Sequence, residues 1–324
     1  MELIAIDENM HEIGNIIADV DIELGTSAAL NNFEMSIPPI DAAGFYVEGT
    51  EYGGLFEFTS EKSTGTVINY KGWTWRGLLT QGVVMPPQGS DYYYASGDAN
   101  AIISGLLANA FGGFFNVPGI NSGCTVNNYK FPLYINLLDG IMGMLEEYGY
   151  RLSIHAEKTA AGEPVQVTVE AVEMEMTAGT QNEDSPYTIT VRNDRMGINH
   201  LICLGSGSLR HRDRIDLYID QSGNVTETQY FTGFEERTAI YDYASVESHA
   251  DLKSSGIKRL RELASTKKIE VNIKSDTDAG HRIEIGDNVR AALRGDTVVT
   301  KVIQKVVKIS NGVETVSYKT SSEQ

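Results

Sequence analysis

Short runs of alternating apolar and polar residues recur along the chain, and they predict β-strands over most of its length. The clearest run lies within residues 187–238, where an apolar segment at 200–204 precedes strict alternation at 215–219. Residues 220–224 have the composition of a hairpin turn, because Gly and Asn adopt positive φ readily and Asp bonds nearby backbone. The pattern therefore predicts antiparallel sheet here, with residues 225–231 as the returning strand and a helix after Phe234.

The two ends of the chain carry further strand patterns. Residues 1–88 hold several short apolar segments separated by glycine and polar turns, and residues 52–58 and 66–72 have the pattern of a hairpin pair. Near the other end, residues 298–309 and 313–318 flank Asn311–Gly312, which is a strong two-residue hairpin signal. Many short strands with glycine-rich turns are typical of barrels and sandwiches.

Three segments have helical periodicity instead. Residues 98–112 begin at Asp98, a good N-cap, and end at a glycine pair. Residues 136–148 place Leu, Ile and Met on one face and end at Gly149. The longest candidate covers residues 245–266, with an apolar stripe and a basic C-terminal end, where cations suit the helix dipole.

One strand pattern changes phase along its length. In residues 165–176 the apolar positions shift parity at Ala171–Val172. A shift of one residue reverses which face each later side chain occupies. Two explanations stay open: a β-bulge that bends the strand, or a strand that leaves one core and enters another.

Together these patterns predict a mainly β protein of the α+β class with three domains. The first, residues 1–88, is predicted to be a barrel or a sandwich. Residues 89–186 form an inserted small α+β domain with two helices. Residues 187–324 form a second barrel domain, with helix 245–266 packed against it.

The charge of the chain restricts its partners. It has 44 acidic and 26 basic residues and a formal net charge of −18. Tight binding to DNA or RNA is excluded, because that affinity comes mainly from Lys and Arg. An acidic surface keeps a protein soluble, and an acidic wall also lets a DNA duplex pass without adhering. Composition alone leaves both interpretations open.

Cysteine content and the N-terminus indicate an intracellular, disulfide-free protein. The two cysteines, Cys124 and Cys203, do not resemble a disulfide framework. Residues 1–7 lack the features of a signal peptide, and the sequence has no apolar stretch of about 20 residues.

The search for chemistry finds no catalytic, cofactor-binding or metal-ligating residue. Position 15, four residues after His11, holds Asn, so no helical His pair forms. His200, in an apolar strand, is more often a satisfied core residue than a ligand. Gly205–Ser206–Gly207 lacks the third glycine and the helix of a dinucleotide loop. The set Asp276, Asp278 and Gly280 departs from a calcium loop at His281 and Asp287.

Acidic pairs and a tyrosine cluster remain as weaker candidates. The pairs Glu146–Glu147, Glu173 with Glu175, and Glu235–Glu236 are most simply explained as solvated surface, since 44 acids make such pairs common. Tyr92, Tyr93 and Tyr94 are equally consistent with a contact surface and with a packed loop.

Two sequence islands carry a family resemblance. The first is Gly197-Ile198-Asn199-His200-Leu201-Ile202-Cys203-Leu204-Gly205-Ser206-Gly207, followed by Arg214-Ile215-Asp216-Leu217-Tyr218-Ile219-Asp220 and Gly223-Asn224-Val225. The second is Gly72-Trp73-Thr74-Trp75-Arg76-Gly77-Leu78-Leu79, then Pro86-Pro87. The chain thereby resembles the Gp37-like tail proteins of long-tailed bacteriophages. The islands occur in the same order and at similar spacing as in that family, so the resemblance spans most of the chain.

The resemblance implies a structural protein of the tail tip, related to baseplate hubs. Such hubs carry two tube-like barrels per chain, which would be residues 1–88 and 187–324 here, and they form trimeric, pseudo-sixfold rings around the DNA channel. The implied partners are further copies of the chain, the tail tube or distal tail protein, and a spike, fibre or tape-measure protein. The expected location is the virion tail, assembled in the host cytoplasm, with no enzymatic activity and no cofactor.

Two alternatives belong to other functional classes. A tail-associated hydrolase of cell wall or capsule would need two carboxylates facing each other across a sugar-binding cleft. A glycan-binding module would use exposed aromatic rings.

Overall fold

The computed structural model describes residues 1–62, 65–179, 187–193, 196–246, 248–264, 267–273, 283–293, 296–310 and 312–322. The protein is mainly β, with few helices, as the sequence predicts. The chain divides into two compact units. Unit 1 comprises residues 1–189 and 271–323, and unit 2 comprises residues 190–270.

Strands greatly outnumber helices in the part of the chain that the structure describes. In chain order, the strands are β1 (Leu3–Ile6), β2 (Glu12–Ile16), β3 (Val20–Gly25), β4 (Asn32–Ile37), β5 (Gly44–Tyr46), β6 (Gly53–Leu55), β7 (Phe58–Glu61), β8 (Ile68–Trp73), β9 (Tyr94–Asp98), β10 (Phe115–Asn116), β11 (Thr125–Lys130), β12 (Tyr150–Lys158), β13 (Val165–Glu173), β14 (Met176–Gly179), β15 (Tyr187–Asn193), β16 (His200–Leu204), β17 (Arg214–Ile219), β18 (Val225–Thr226), β19 (Thr238–Asp242), β20 (Lys267–Ile273), β21 (Asn288–Leu293), β22 (Asp296–Ser310) and β23 (Val313–Ser322). The helices are α1 (Trp75–Leu78), α2 (Ala99–Phe111), α3 (Leu137–Glu147) and α4 (His249–Leu263).

An eight-stranded sheet is the largest element of unit 1. Its order is β14-β21-β22-β3-β4-β8-β7, and β23 pairs with β22 outside this path. One face packs on β1 and β5 of a four-stranded sheet through a core that includes Ile22, Phe33 and Phe45. Buried apolar residues alternate with exposed polar ones along β4, so one face of the strand belongs to the core.

A second core in unit 1 is formed by helices α2 and α3 and by the β10-β13-β12 sheet. The predicted helix starts are confirmed. The Asp98 side chain accepts hydrogen bonds from the first turn of α2, and Asn136 caps α3. Gly112 and Gly149 adopt positive φ where these helices end.

The change of apolar phase at residues 171–172 marks the transfer of the chain between two sheets. Strand β13 pairs with β12 without a register shift as far as Glu173. The chain then enters β14, which pairs in parallel with β21 in the eight-stranded sheet. Of the two explanations left open by the sequence, the transfer is observed and the bulge is not.

Unit 2 is a four-stranded sheet of order β18-β17-β16-β19 covered on one face by α4. The predicted antiparallel pair β16–β17 is confirmed, and so is the turn at residues 220–224, which joins β17 to β18. The returning strand β18 is shorter than predicted, because it ends at Thr226. Strand β19 was not predicted, and it runs parallel to β16. Residues Gly233–Glu235 form a single 3-10 turn where the sequence suggested a helix.

The C-terminal strands pair differently from the sequence-based expectation. Strands β21–β23 were expected to join those of residues 187–236, but β22 pairs with β3 near the N-terminus. The hairpin between β22 and β23 is confirmed, although Asn311 lies outside the described residues. Within the described ranges, no sheet closes into a barrel. The three-domain division at residues 88 and 186 stays a prediction.

No helix among the described residues has the length and apolar character needed to cross a bilayer.

Candidate functional site

Strands β7, β14 and β23 lie at the margins of the eight-stranded sheet, and among the described strands each of them pairs along one side only. Strand β23 is ten residues long and pairs, among the described strands, only with β22. Strand β7 pairs only with β8 in the same part of the chain, and all four of its residues are exposed. A free edge presents unpaired backbone donors and acceptors, so it is a template for pairing with another chain.

Charge is distributed very unevenly between the two units. Unit 2 contains 12 basic and 12 acidic residues, so the whole net charge of −18 belongs to unit 1. The acidic surface is therefore a property of the unit that also carries the free β-edges.

A buried ion pair lies at the centre of unit 1. Arg76 is 1% exposed and Glu51 is 7% exposed. Arg76 donates from Nε and Nη2 to the two oxygens of Glu51, with a distance of 3.0 Å for Nη2, and Nη2 also donates to the Leu152 carbonyl at 3.1 Å. This two-point geometry is the most favourable one for a guanidinium and a carboxylate.

Local sequence places the Arg76 side chain in this position. Thr74 is fully buried and caps α1, since its side chain accepts a hydrogen bond from the Gly77 amide. Its hydroxyl also donates to the Asn31 carbonyl at 3.1 Å, which fixes α1 against the turn between β3 and β4. The guanidinium therefore extends from a helix turn that is anchored at two points.

A cavity of about 190 Å³ borders this ion pair. Lys305, 2% exposed, donates to both oxygens of Glu284 at 3.0 and 3.1 Å, and Arg151 donates to Asp287 at 2.7 Å. Each cation lining the cavity is thus paired with a carboxylate. The arrangement neutralises its own charge, and its evident role is to hold β12 and β22 in place.

Unit 2 contains a buried histidine between two carboxylates. His200 Nδ1 lies 2.6 Å from Glu236 Oε1, and Nε2 lies 2.8 Å from Asp216 Oδ1. The ring stacks on Tyr218 with centroids 4.3 Å apart. Each ring nitrogen therefore has a carboxylate partner within hydrogen-bond distance. The expectation of a satisfied core histidine agrees with this geometry.

Acid stability of unit 2 is expected to depend on Asp216. The pKa of the Asp216 carboxyl is lowered, mainly by hydrogen bonds from the Arg214 guanidinium. Burial raises this pKa, and the hydrogen bond with His200 lowers it. A carboxyl with a lowered folded-state pKa stabilises the fold above its unfolded pKa of about 4, and this contribution is lost as the pH falls below that value. We therefore expect Arg214→Met to unfold unit 2 at a higher pH than the wild type does. Hydrogen exchange of β16 and β17 between pH 6 and 2 measures this, with exposed Arg210→Met as control; equal midpoints would contradict it.

The remaining sequence candidates do not converge on one site. Glu146 pairs with Lys301, and Glu236 contacts His200. Residues 205–207 form a loop that leads to a 3-10 turn. Among the described residues, no three His, Cys, Asp or Glu side chains are grouped to hold a metal ion. Asp276, Asp278, Gly280 and His281 lie outside the described residues.

The tyrosine cluster divides into packed and exposed members. Tyr93 packs edge-on against Phe131 at 5.5 Å and belongs to the core of the α2–α3 region. Lys130 Nζ lies 3.4 Å from the centroid of the Tyr92 ring. Tyr94 is 53% exposed. The packed-loop interpretation therefore holds for Tyr93, and the contact-surface interpretation stays a prediction for the exposed Tyr94.

Sequence reasoning missed the buried charge network. Glu51, Arg76 and Lys305 come from three distant parts of the chain, and no spacing rule joins them. The available signal was Arg76 itself, a charged residue inside the apolar stretch 73–79. A charge in such a position needs a buried partner.

No known protein family matches the sequence, and no curated protein does either. Solved structures do match the fold. A prophage MuSo2 43 kDa tail protein from Shewanella oneidensis aligns over 99% of this chain and 98% of its own, with a TM-score of 0.51 and 10% identity. The chain shares its fold with that tail protein.

Other structural neighbours have lower TM-scores. The prophage tail protein gp18 from Listeria monocytogenes EGD-e covers 100% of this chain and 96% of its own, with a TM-score of 0.47 and 11% identity. A chain of the phage P2 baseplate in its activated conformation covers 100% of both, with a TM-score of 0.47 and 9% identity.

Proposed function

We propose that the chain is a structural component of the tail tip of a bacteriophage, a prophage or a tail-like particle. In this role it is a hub or baseplate protein of the Gp37-like kind, and three copies form a pseudo-sixfold ring. The ring continues the tail tube and surrounds the DNA channel. The observation that carries the proposal is the fold shared with a prophage tail protein along almost the whole of both chains.

The free edges of unit 1 support assembly into a ring. In a closed ring, the outer edges of β7 and β23 meet strands of neighbouring chains, so that these two edges are paired. The tube-like barrels predicted from the sequence would then be completed between subunits. Each added strand pair contributes backbone hydrogen bonds that one chain cannot make alone.

The acidic surface of unit 1 supports a DNA conduit. A wall of negative charge repels phosphates, so a duplex passes through the ring without being held. The proposed neighbours are the tail tube or distal tail protein on one side, and a spike, fibre or tape-measure protein on the other.

Oligomer mass tests the proposal directly. We expect native mass spectrometry to give three times the chain mass of 35.5 kDa, and negative-stain images to show rings with a central hole. A chain that stays monomeric in solution and in assembled tails contradicts the ring. Release of fragments from purified cell-wall glycan, abolished by changing one carboxylate, would replace the structural role with that of a hydrolase.

A further inference from the structure

One long stretch of unit 1 is nearly free of charge. Residues 77–138 contain only three charged side chains, Asp91, Asp98 and Lys130, in a chain that is 22% charged. Two of these are engaged within the unit. Asp98 accepts hydrogen bonds from the start of α2 and from Ser122, and Lys130 lies over the Tyr92 ring. Depletion of charge is what distinguishes the centre of protein interfaces from other surface.

Exposed apolar side chains from this stretch lie side by side. The bridge Val83–Asn136 and the hydrogen bond from the Val84 amide to the Ile135 carbonyl pair residues 82–85 with residues 134–137. Val84 is 2% exposed, so its neighbours point outward: Val83 is 42% exposed and Met85 63%. Continuing the same register places Met85 opposite Tyr134, which is 62% exposed.

Helix α2 lies beside this segment and adds no charge. Its exposed positions are Ala101, Ser104, Gly105, Ala108, Asn109 and Ala110. A Cβ atom on Gly82 would lie 3.2 Å from the Ala110 Cβ, but Gly82 is on the buried side of the segment with Val84, so this contact lies opposite the exposed Val83 and Met85 side chains. We call Val83, Met85 and Tyr134 the neutral surface.

We propose that the neutral surface binds a second copy of this chain. Copies that approach through the acidic surface of unit 1 repel one another, because each unit 1 carries the full charge of −18. The neutral surface escapes this repulsion, and it offers Met and Tyr side chains of the kind that interfaces favour. The inference rests on the proposed ring and adds a second contact between its subunits, besides the edges of β7 and β23.

Salt dependence gives the assignment a distinctive signature. Salt screens repulsion between acidic surfaces, whereas apolar contacts do not need charge pairing. Association through the neutral surface therefore strengthens from 0.05 to 0.5 M NaCl. An interface built from ion pairs weakens over the same range.

The decisive variant carries Met85→Glu and Tyr134→Glu. We expect sedimentation equilibrium to show a dissociation constant raised about tenfold or more, because two carboxylates are buried against the partner chain. The matched control carries Ile17→Glu and Phe234→Glu, which add the same charge at sites 96% and 94% exposed outside this surface. Circular dichroism confirms that both variants fold.

The outcomes separate this inference from the ring itself. A double-Glu variant that associates as tightly as the wild type, or a control that weakens association equally, overturns the neutral surface and leaves the ring intact. A wild type that never associates overturns both. Salt that weakens association also overturns the neutral surface.

A probe placed at Tyr134 gives independent evidence. Cys124 and Cys203 are buried, and burial raises the pKa of both thiols, that of Cys203 to about 11. A maleimide spin label therefore reacts selectively with Tyr134→Cys. We expect continuous-wave spectra to show that the label loses mobility when the protein associates, and a label that is equally mobile in associated and dissociated protein contradicts the proposal.

Discussion

Replacing Glu51 with alanine is expected to destabilise unit 1 by about 3–5 kcal/mol, because it leaves the Arg76 guanidinium buried without its counter-ion. Arg76 would retain its hydrogen bond to the Leu152 carbonyl at 3.1 Å, but a neutral acceptor does not balance a desolvated charge. Urea unfolding followed by tryptophan fluorescence measures this effect, since Trp73 and Trp75 both belong to unit 1.

An exposed ion pair in the same unit provides the control. Glu34 lies 2.6 Å from Lys71, and both side chains are about half exposed. Glu34→Ala is expected to cost about 0–1 kcal/mol, as surface pairs usually do. Equal losses for Glu51→Ala and Glu34→Ala would show that burial of the Arg76 pair has no energetic consequence.

A double substitution separates charge from packing. Glu51→Leu combined with Arg76→Met removes both charges and keeps apolar volume, so it is expected to recover most of the stability lost in Glu51→Ala. The coupling between the two positions follows from the double-mutant cycle. If the double variant is as unstable as Glu51→Ala, the destabilisation comes from lost packing and not from the unpaired charge of Arg76.

The helices were predictable because their signals are local. An N-cap, an apolar stripe and a terminal glycine lie within about fifteen residues for α2 and α3, and the structure places both within one residue of the prediction. The same holds for the hairpins at residues 220–224 and at Gly312, where the turn fixes the pairing partner.

Pairing between distant strands was not predictable, because the sequence of a strand does not specify which strand it pairs with. Strand β22 has the alternation of a half-buried strand whichever sheet it joins, and it pairs with β3 about 280 residues away. The one non-local signal was the phase change after Ala171, which marked the passage from β13 to another sheet.

The island at residues 72–79 shows what a resemblance leaves unexplained. A Cβ atom on Gly72 would lie 1.8 Å from the Leu55 carbonyl oxygen, so only glycine lets β8 approach β6. Trp75 is fully buried, and Arg76 carries the central ion pair. The sequence predicted a strand at residues 66–72, whereas the reason for each residue type lies in contacts with residues 31, 51 and 55.

The charge network at the candidate site escaped prediction for the same reason. Arg151 lies in β12 and Asp287 precedes β21, and their contact at 2.7 Å depends on the chain returning to unit 1 after residue 270. The neutral surface is different, since its lack of charge is visible in the sequence. What the structure adds is which of its apolar residues are exposed.

Replacing His200 with alanine is expected to destabilise unit 2 by about 3 kcal/mol. The change removes two hydrogen bonds to carboxylates, each of which contributes roughly 1.5–3 kcal/mol. It also leaves the carboxylates of Glu236 and Asp216 without the ring that both of them contact. Stacking on Tyr218 is lost as well.

The effect is expected to concentrate where β16 meets its neighbours. His200 opens β16 and is opposite Tyr218 in β17 and Thr238 in β19, so the ring and its two carboxylate partners join three segments of the chain at one end of the sheet. In hydrogen exchange, amides of β16 and β19 should lose protection in His200→Ala, while those of β3 and β4 in unit 1 keep theirs.

His249 supplies the matched control within the same unit. It contacts Asp213 at 2.7 Å, but its side chain is 64% exposed, so water replaces the lost contact in His249→Ala and the cost is expected to stay below about 0.5 kcal/mol. If His200→Ala is as mild as His249→Ala, the buried imidazole does not hold the sheet together. In that case the strand pairing of β16 must be carried by the apolar face under α4, where Leu201 and Cys203 are fully buried.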